Sequence, residues 1–130
     1  MRFLRAYLAS ATVATVTLLL VHSVEAVIYG ALGDFLTELP DTALFYAIYG
    51  FSFTLVLGLT GWSLLQLIDA HSARAYAVVG GVFGLVTAMF WTGLSMENPF
   101  LYSFTGAGAT AALAFRWAYY RSVSSTTAAA

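Results

Sequence analysis

Three ionisable side chains lie along one side of the first apolar segment. His22, Glu25 and Tyr29 are spaced three and four residues apart, which in an α-helix places imidazole, carboxyl and phenol on the same face. A histidine beside a carboxyl group can share a proton with it or bind a polar ligand, and ionisable groups within a membrane commonly mark ion or substrate sites. The sequence therefore predicts a proton or ligand site on this face.

Two interpretations of this site stay open at the level of sequence. Glu25 and His22 either lie buried in a helix bundle, or Glu25 reaches water at the headgroups while His22 bonds a neighbouring helix. Tyr49 and Trp91 fall in later apolar segments and would add an aromatic lining on the same side of the membrane. An ordinary interfacial aromatic belt accounts for such residues equally well.

The composition places these residues in a bilayer. Of 130 residues, 61% are hydrophobic, 8% are charged and none is lysine, which leaves too little polar surface for a soluble globule. Four stretches without charge are long enough to approach or exceed the roughly 20 residues that cross a bilayer; they are 6–24, 42–68, 75–96 and 98–115. We expect an all-α integral membrane protein of one domain, with four transmembrane helices in a compact bundle.

Turn and cap residues set the expected boundaries. Pro40 and Asp41 end an acidic loop over 33–41, Ser72 is positioned to cap the third helix, and Asn98-Pro99 is a strong helix start. The tail 122–130 is small and polar and is expected to be disordered in the cytoplasm. The predicted helices are about 6–32, 42–68, 75–95 and 99–120.

All the arginines fall on one side of the predicted bundle, at its two ends and in the second loop. By the positive-inside rule, both termini face the cytoplasm, as expected for a bacterial or archaeal cytoplasmic membrane. The arginines are Arg2, Arg5, Arg74, Arg116 and Arg121. The basic start also fits a signal peptide cleaved near residue 26; we expect retention, because the apolar run resumes after Glu25.

Small residues indicate close helix packing in the second half of the chain. Gly80 and Gly84 are one turn apart, and a run of small residues includes Gly106, Gly108 and Ala112. Where lipid gives no hydrophobic drive for association, small residues let helices approach closely. Such faces serve contacts within one chain or with another subunit.

The sequence lacks the residues that several classes of function require. The chain has no cysteine for disulfide or thiolate chemistry, and His22 with Glu25 supplies two ligands, fewer than a metal site needs. No cluster resembles a catalytic or nucleic-acid-binding surface, so we expect no enzyme. A quinone, or a haem or pigment bound through one histidine, stays open as a cofactor.

Three functions follow, in order of preference. The first is a non-enzymatic accessory or scaffold subunit of a larger membrane complex, associating with other subunits or with itself, because loops are short and small-residue faces are abundant. The second is a small oligomeric proton-linked transporter or channel that uses Glu25 and His22. The third is a binding module for a quinone, pigment or lipid in an outer aromatic pocket.

Overall fold

The computed structural model describes residues 1–92 and 99–127, and every element in these ranges is an α-helix. This confirms the predicted all-α class. The four helices are α1 Arg2–Ile28, α2 Leu32–Leu67, α3 Ala73–Thr92 and α4 Pro99–Thr127. Within the described ranges, α1, α2 and most of α3 are long and apolar enough to cross a membrane.

The helices alternate in direction, and α4 occupies the centre of their packing. It lies against both α1 and α3, while α2 packs on α1 and barely contacts α3. One end of the molecule is held by a buried cluster with one residue from each helix, namely Ala6, Leu65, Tyr76 and Phe115. Near the other end, Leu18, Tyr46 and Ala107 form a second cluster. The weak α2–α3 contact leaves a space between these two helices.

Two tight turns join the first three helices, and both use the same hydrogen-bond pattern. After α1, Gly30 adopts a φ of 71°, and the Ala31 N–H donates to the Ala26 carbonyl over 2.8 Å. After α2, Asp69 takes the left-handed position with a φ of 53°, and the Ala70 N–H donates to the Leu65 carbonyl over 2.9 Å. These are Schellman caps, which satisfy the last carbonyls of each helix.

The predicted acidic loop over 33–41 is wrong, because α2 already begins at Leu32. Pro40 lies inside the helix, where it removes one backbone hydrogen bond. Three features favour the helix all the same. Asp34 sits in the first turn, where its charge complements the helix dipole; Thr37 Oγ1 donates to the Asp34 carbonyl over 2.7 Å; and the Phe35 side chain is buried.

The remaining helix starts lie within about four residues of their predicted positions, and α1 covers Arg2–Ile28 instead of 6–32. Ser72 caps α3 as predicted, accepting a hydrogen bond of 3.1 Å from the Ala75 N–H. α4 begins at Pro99 and continues to Thr127, past the predicted end near residue 120 and into the stretch expected to be disordered. Extending a helix already formed adds one hydrogen bond per residue and needs no tertiary contact. The predicted end of the third helix at 93–95 and the final residues 128–130 lie outside the described residues.

Helices α3 and α4 touch backbone to backbone. A methyl group added at Gly80 would collide with the carbonyl oxygen of Gly108 and with Ala112, and one added at Gly84 would collide with the carbonyl of Phe104. Gly80, Gly84, Gly108 and Ala112 therefore lie in a contact within the chain. Gly106 does not, because no atom of the described residues lies within 4 Å of a Cβ added there.

The two glycines of α4 should respond in opposite ways to alanine. Gly108→Ala should lower the free energy of unfolding by roughly 1–3 kcal/mol, the range for overpacking a close contact. Gly106→Ala should leave it unchanged or raise it by up to about 1 kcal/mol, because alanine favours helix and meets no neighbour. Thermal unfolding in a mild detergent measures both, and equal loss in the two variants would contradict the contact.

Candidate functional site

His22 is bonded to the neighbouring helix α2. Its Nδ1 and the hydroxyl oxygen of Tyr46 share a hydrogen bond of 3.0 Å, and its ring stacks on Phe35 with centroids 5.3 Å apart. Both aromatic partners are buried. The imidazole is therefore held in place by α2, as in the interpretation that has His22 bond a neighbouring helix.

Glu25 does not join His22. Its side chain is partly exposed, and within the described ranges the carboxyl group makes no hydrogen bond or ion pair with another residue. The Nδ1 atom of His22 is engaged by Tyr46, and the ring is fixed against Phe35. His22 and Glu25 lie on one helix at the predicted spacing, but the histidine side chain contacts Tyr46 and Phe35 of α2.

The aromatic members of the predicted site separate into two places. Tyr29 lies at the end of α1 with 79% of its surface exposed. Tyr49 and Trp91 meet edge to face across α2 and α3, with ring centroids 4.9 Å apart. Phe45 contacts both rings, at 4.4 Å and 5.9 Å. Tyr49 and Trp91 thus form an aromatic cluster between α2 and α3, separate from the His22 side chain.

This aromatic cluster closes one end of a cleft between α2 and α3. The cleft has a volume of about 350 Å³, and its floor is formed by α1 and α4. Such a volume falls within the range of small-molecule sites. Among the described residues, none that carries a charge lines it; prominent lining side chains are Phe45, Tyr49, Phe53, Phe83, Trp91 and Phe104.

The cleft is long. It reaches from Tyr76 to Trp91 on α3, a distance of about 22 Å along the helix axis. Hydroxyl groups on its walls bond the backbone: Ser10 Oγ donates to the Ala111 carbonyl over 2.9 Å and Thr87 Oγ1 to the Phe83 carbonyl over 2.8 Å. Over most of its length the surface therefore favours an apolar, chain-shaped molecule.

Sequence reasoning missed the α2 wall of the cleft, although a signal was present. Gly50, Thr54, Gly58 and Gly61 recur at intervals of three and four residues on α2, and all four line the cleft. Small residues at this spacing leave room along one face of a helix. On α3 the same pattern lies in the contact with α4. On α2, Gly50 lies against Thr15 of α1 and Gly61 against Phe83 of α3, while the space beside Gly58 stays open.

A second polar network lies at the α2–α3 turn, at the end of the bundle away from His22. His71 Nε2 pairs with Asp69 Oδ1 at 2.8 Å, and His71 Nδ1 shares a hydrogen bond of 2.8 Å with the Tyr120 hydroxyl. Arg116 Nε donates to the His71 carbonyl over 2.8 Å. These contacts fasten the α2–α3 turn to α4. In the part of the chain that the structure describes, no three histidine or acidic side chains could hold a metal ion together.

The site and the helices define an all-helical protein with three membrane-length apolar helices and an uncharged cleft. No protein-family model, no curated protein and no solved structure matches the chain.

The His22–Tyr46 hydrogen bond should matter for stability, and Tyr49 offers a matched control. Tyr46→Phe leaves the imidazole without its partner and should lower the free energy of unfolding by about 1–2 kcal/mol. Tyr49→Phe should have little effect, because no hydrogen bond to the Tyr49 hydroxyl is found among the described residues. Thermal unfolding of both variants tests this, and indistinguishable midpoints would argue against the bond.

Proposed function

We propose that this chain is a non-enzymatic membrane protein of four spanning helices that holds a long, uncharged, lipid-soluble molecule in the cleft between α2 and α3. The observation that carries the proposal is the cleft itself, which is long, aromatic and free of charged lining residues in the described ranges. It develops the third of the three functions that the sequence suggests.

An empty apolar cleft in a bilayer is unfavourable. Side chains that face a void lose the dispersion contacts that a filled space would provide. The cleft opens between two helices that are apolar enough to span a membrane, so its natural occupants come from the hydrocarbon phase. Its length of about 22 Å favours an extended chain over a compact ligand.

The scaffold interpretation loses its main support. It depended on small-residue faces being available to other subunits, but Gly80, Gly84 and Gly108 are closed in the α3–α4 contact. Gly106 and Thr110, one turn apart on α4, stay exposed, and two such positions give little surface for a partner. Native mass spectrometry of the purified protein distinguishes a lipid-soluble molecule in the cleft from a bound polypeptide.

The membrane arrangement belongs to the same proposal. α4 would cross as the fourth span, because it packs along α1 and α3 and runs through Pro99–Thr127. With the arginines on the inner side, both termini face the cytoplasm of a bacterial or archaeal cell. His22, Tyr49 and Trp91 then lie towards the outer surface.

This topology predicts different labelling of two introduced cysteines. The chain has no native cysteine, so Tyr29→Cys and Ala73→Cys each give a single thiol at an exposed position. A membrane-impermeant maleimide should label Tyr29→Cys in intact cells and Ala73→Cys after permeabilisation. Labelling of Ala73→Cys in intact cells would overturn the topology.

Filling the cleft should expel its occupant. Gly58 lines the cleft, and a Cβ added there meets just one atom within 4 Å, Thr54 Cγ2 at 3.8 Å. Gly58→Leu should fold and occupy the space with its side chain. Gly106→Leu is the matched control, because Gly106 also has room for a side chain and lies away from the cleft lining.

Native mass spectrometry of the purified proteins in mild detergent measures the occupant. Wild type and Gly106→Leu should carry a lipid-soluble molecule that Gly58→Leu lacks. The same adducts on all three proteins would contradict a cleft site. A bound polypeptide that Gly58→Leu releases would show that the cleft receives a partner helix and would also contradict the proposal.

A further inference from the structure

Two buried hydrogen-bond donors at one end of the cleft lack an acceptor. The hydroxyl of Tyr76 and the indole N–H of Trp62 have no partner in hydrogen-bond geometry among the described residues, although the side chains of Tyr120 and Gln66 lie near the Tyr76 hydroxyl. Both residues line the cleft near the α2–α3 turn, and Tyr76 is 2% exposed. Leaving a buried donor unpaired costs the folded state free energy, which a ligand oxygen placed there would recover.

We infer that the cleft binds an isoprenoid quinone, with a head carbonyl accepting hydrogen bonds from Tyr76 and Trp62 and the tail running along α2 and α3 towards Trp91. This assignment rests on the proposed function. The indole N–H can donate and cannot accept, so the head must present an acceptor. A quinone carbonyl is such a group, and it is uncharged, as the lining of the cleft requires.

A phospholipid is a poorer occupant of this end. Its phosphate would enter a site whose described lining holds no cation, and burying an unpaired charge is far more costly than burying a carbonyl. A plain hydrocarbon fits the walls but leaves both donors unpaired. The chemistry of the lining therefore selects a neutral head that bears a carbonyl on a long apolar tail.

The Tyr76 oxygen and the Trp62 nitrogen have almost no accessible surface, so side chains at this end of the cleft must move aside to admit the head. The backbones of α2 and α3 lie apart except near the turn at 68–72, and single side chains such as Phe83, beside Gly61, cross the gap. Trp62 is held on its other side by Phe3 and Tyr119, whose ring centroids lie 5.6 Å and 5.9 Å from that of Trp62. The indole is thus held in place by rings from α1 and α4.

The test uses phylloquinone as the probe and tryptophan fluorescence as the readout. Trp91→Phe combined with Trp117→Phe leaves Trp62 as the single tryptophan, and a bound quinone head should quench it. Adding Tyr76→Phe should weaken binding by roughly three- to tenfold, the effect of one lost hydrogen bond, without lowering the thermal midpoint of the empty protein. Adding Tyr102→Phe, at an exposed residue outside the cleft lining, should leave the affinity unchanged.

Competition and cleft filling separate this inference from the proposed function. Phytane, a branched hydrocarbon without carbonyls, and phosphatidylglycerol should each displace phylloquinone poorly, and Gly58→Leu should abolish its binding. If phytane or phosphatidylglycerol competes equally and Tyr76→Phe has no effect, while Gly58→Leu still abolishes binding, the quinone head is overturned and the cleft stands. If Gly58→Leu binds phylloquinone like wild type, both are overturned.

Discussion

The close approach of α3 and α4 determines where the rest of the chain can pack. Gly80 and Gly108 face each other so closely that neither tolerates a methyl group, and Gly84 lies as close to the Phe104 carbonyl. With these backbones in contact, α4 is drawn to the α3 side and presents its other side to α1. α2 then has α1 as its main support, and the cleft is the space that this arrangement leaves beside α3.

The position of α2 is set by polar contacts to α1. The Tyr7 hydroxyl donates to the Phe51 carbonyl over 3.0 Å. The Thr15 hydroxyl donates mainly to the Ala11 carbonyl of its own helix at 2.9 Å and shares this proton with the Tyr46 carbonyl at 3.4 Å. The His22–Tyr46 bond adds a third link further along. Hydrogen bonds between helices in a membrane are modest singly, about 0.6 kcal/mol on average, but three along one helix fix its register. They lie on the α1 side of α2, beside the floor of the cleft, and Tyr46 itself lines the cleft.

The sequence predicts the helical class and some helix boundaries, but it does not predict the start of α2 or the contacts of His22. The physical reasons differ between segments. Long apolar runs between charges predicted the helical class, and Pro99 and Ser72 located two helix starts, because the preferences of residues at helix starts act locally. The start of α2 was missed, since the burial of Phe35 against His22 is a tertiary contact that no local rule for Pro40 contains. That Tyr46 and Phe35 of α2, and not Glu25, engage the His22 ring was missed for the same reason.

The small residues illustrate the limit of reading packing from a sequence. Those on α3 and those on α2 follow the same helical spacing, yet the first are filled by α4 and the second line a cleft. The spacing of small residues predicts which face of a helix is flat. Which element packs on that face depends on the arrangement of all the helices. Gly61 marks the boundary between the two cases. A Cβ added there would lie 2.8 Å from Phe83 Cε2, so this glycine admits a ring from α3, whereas at Gly58 on the same helix the space stays open. The cleft therefore exists because α3 sends single aromatic side chains towards α2 while its backbone stays with α4.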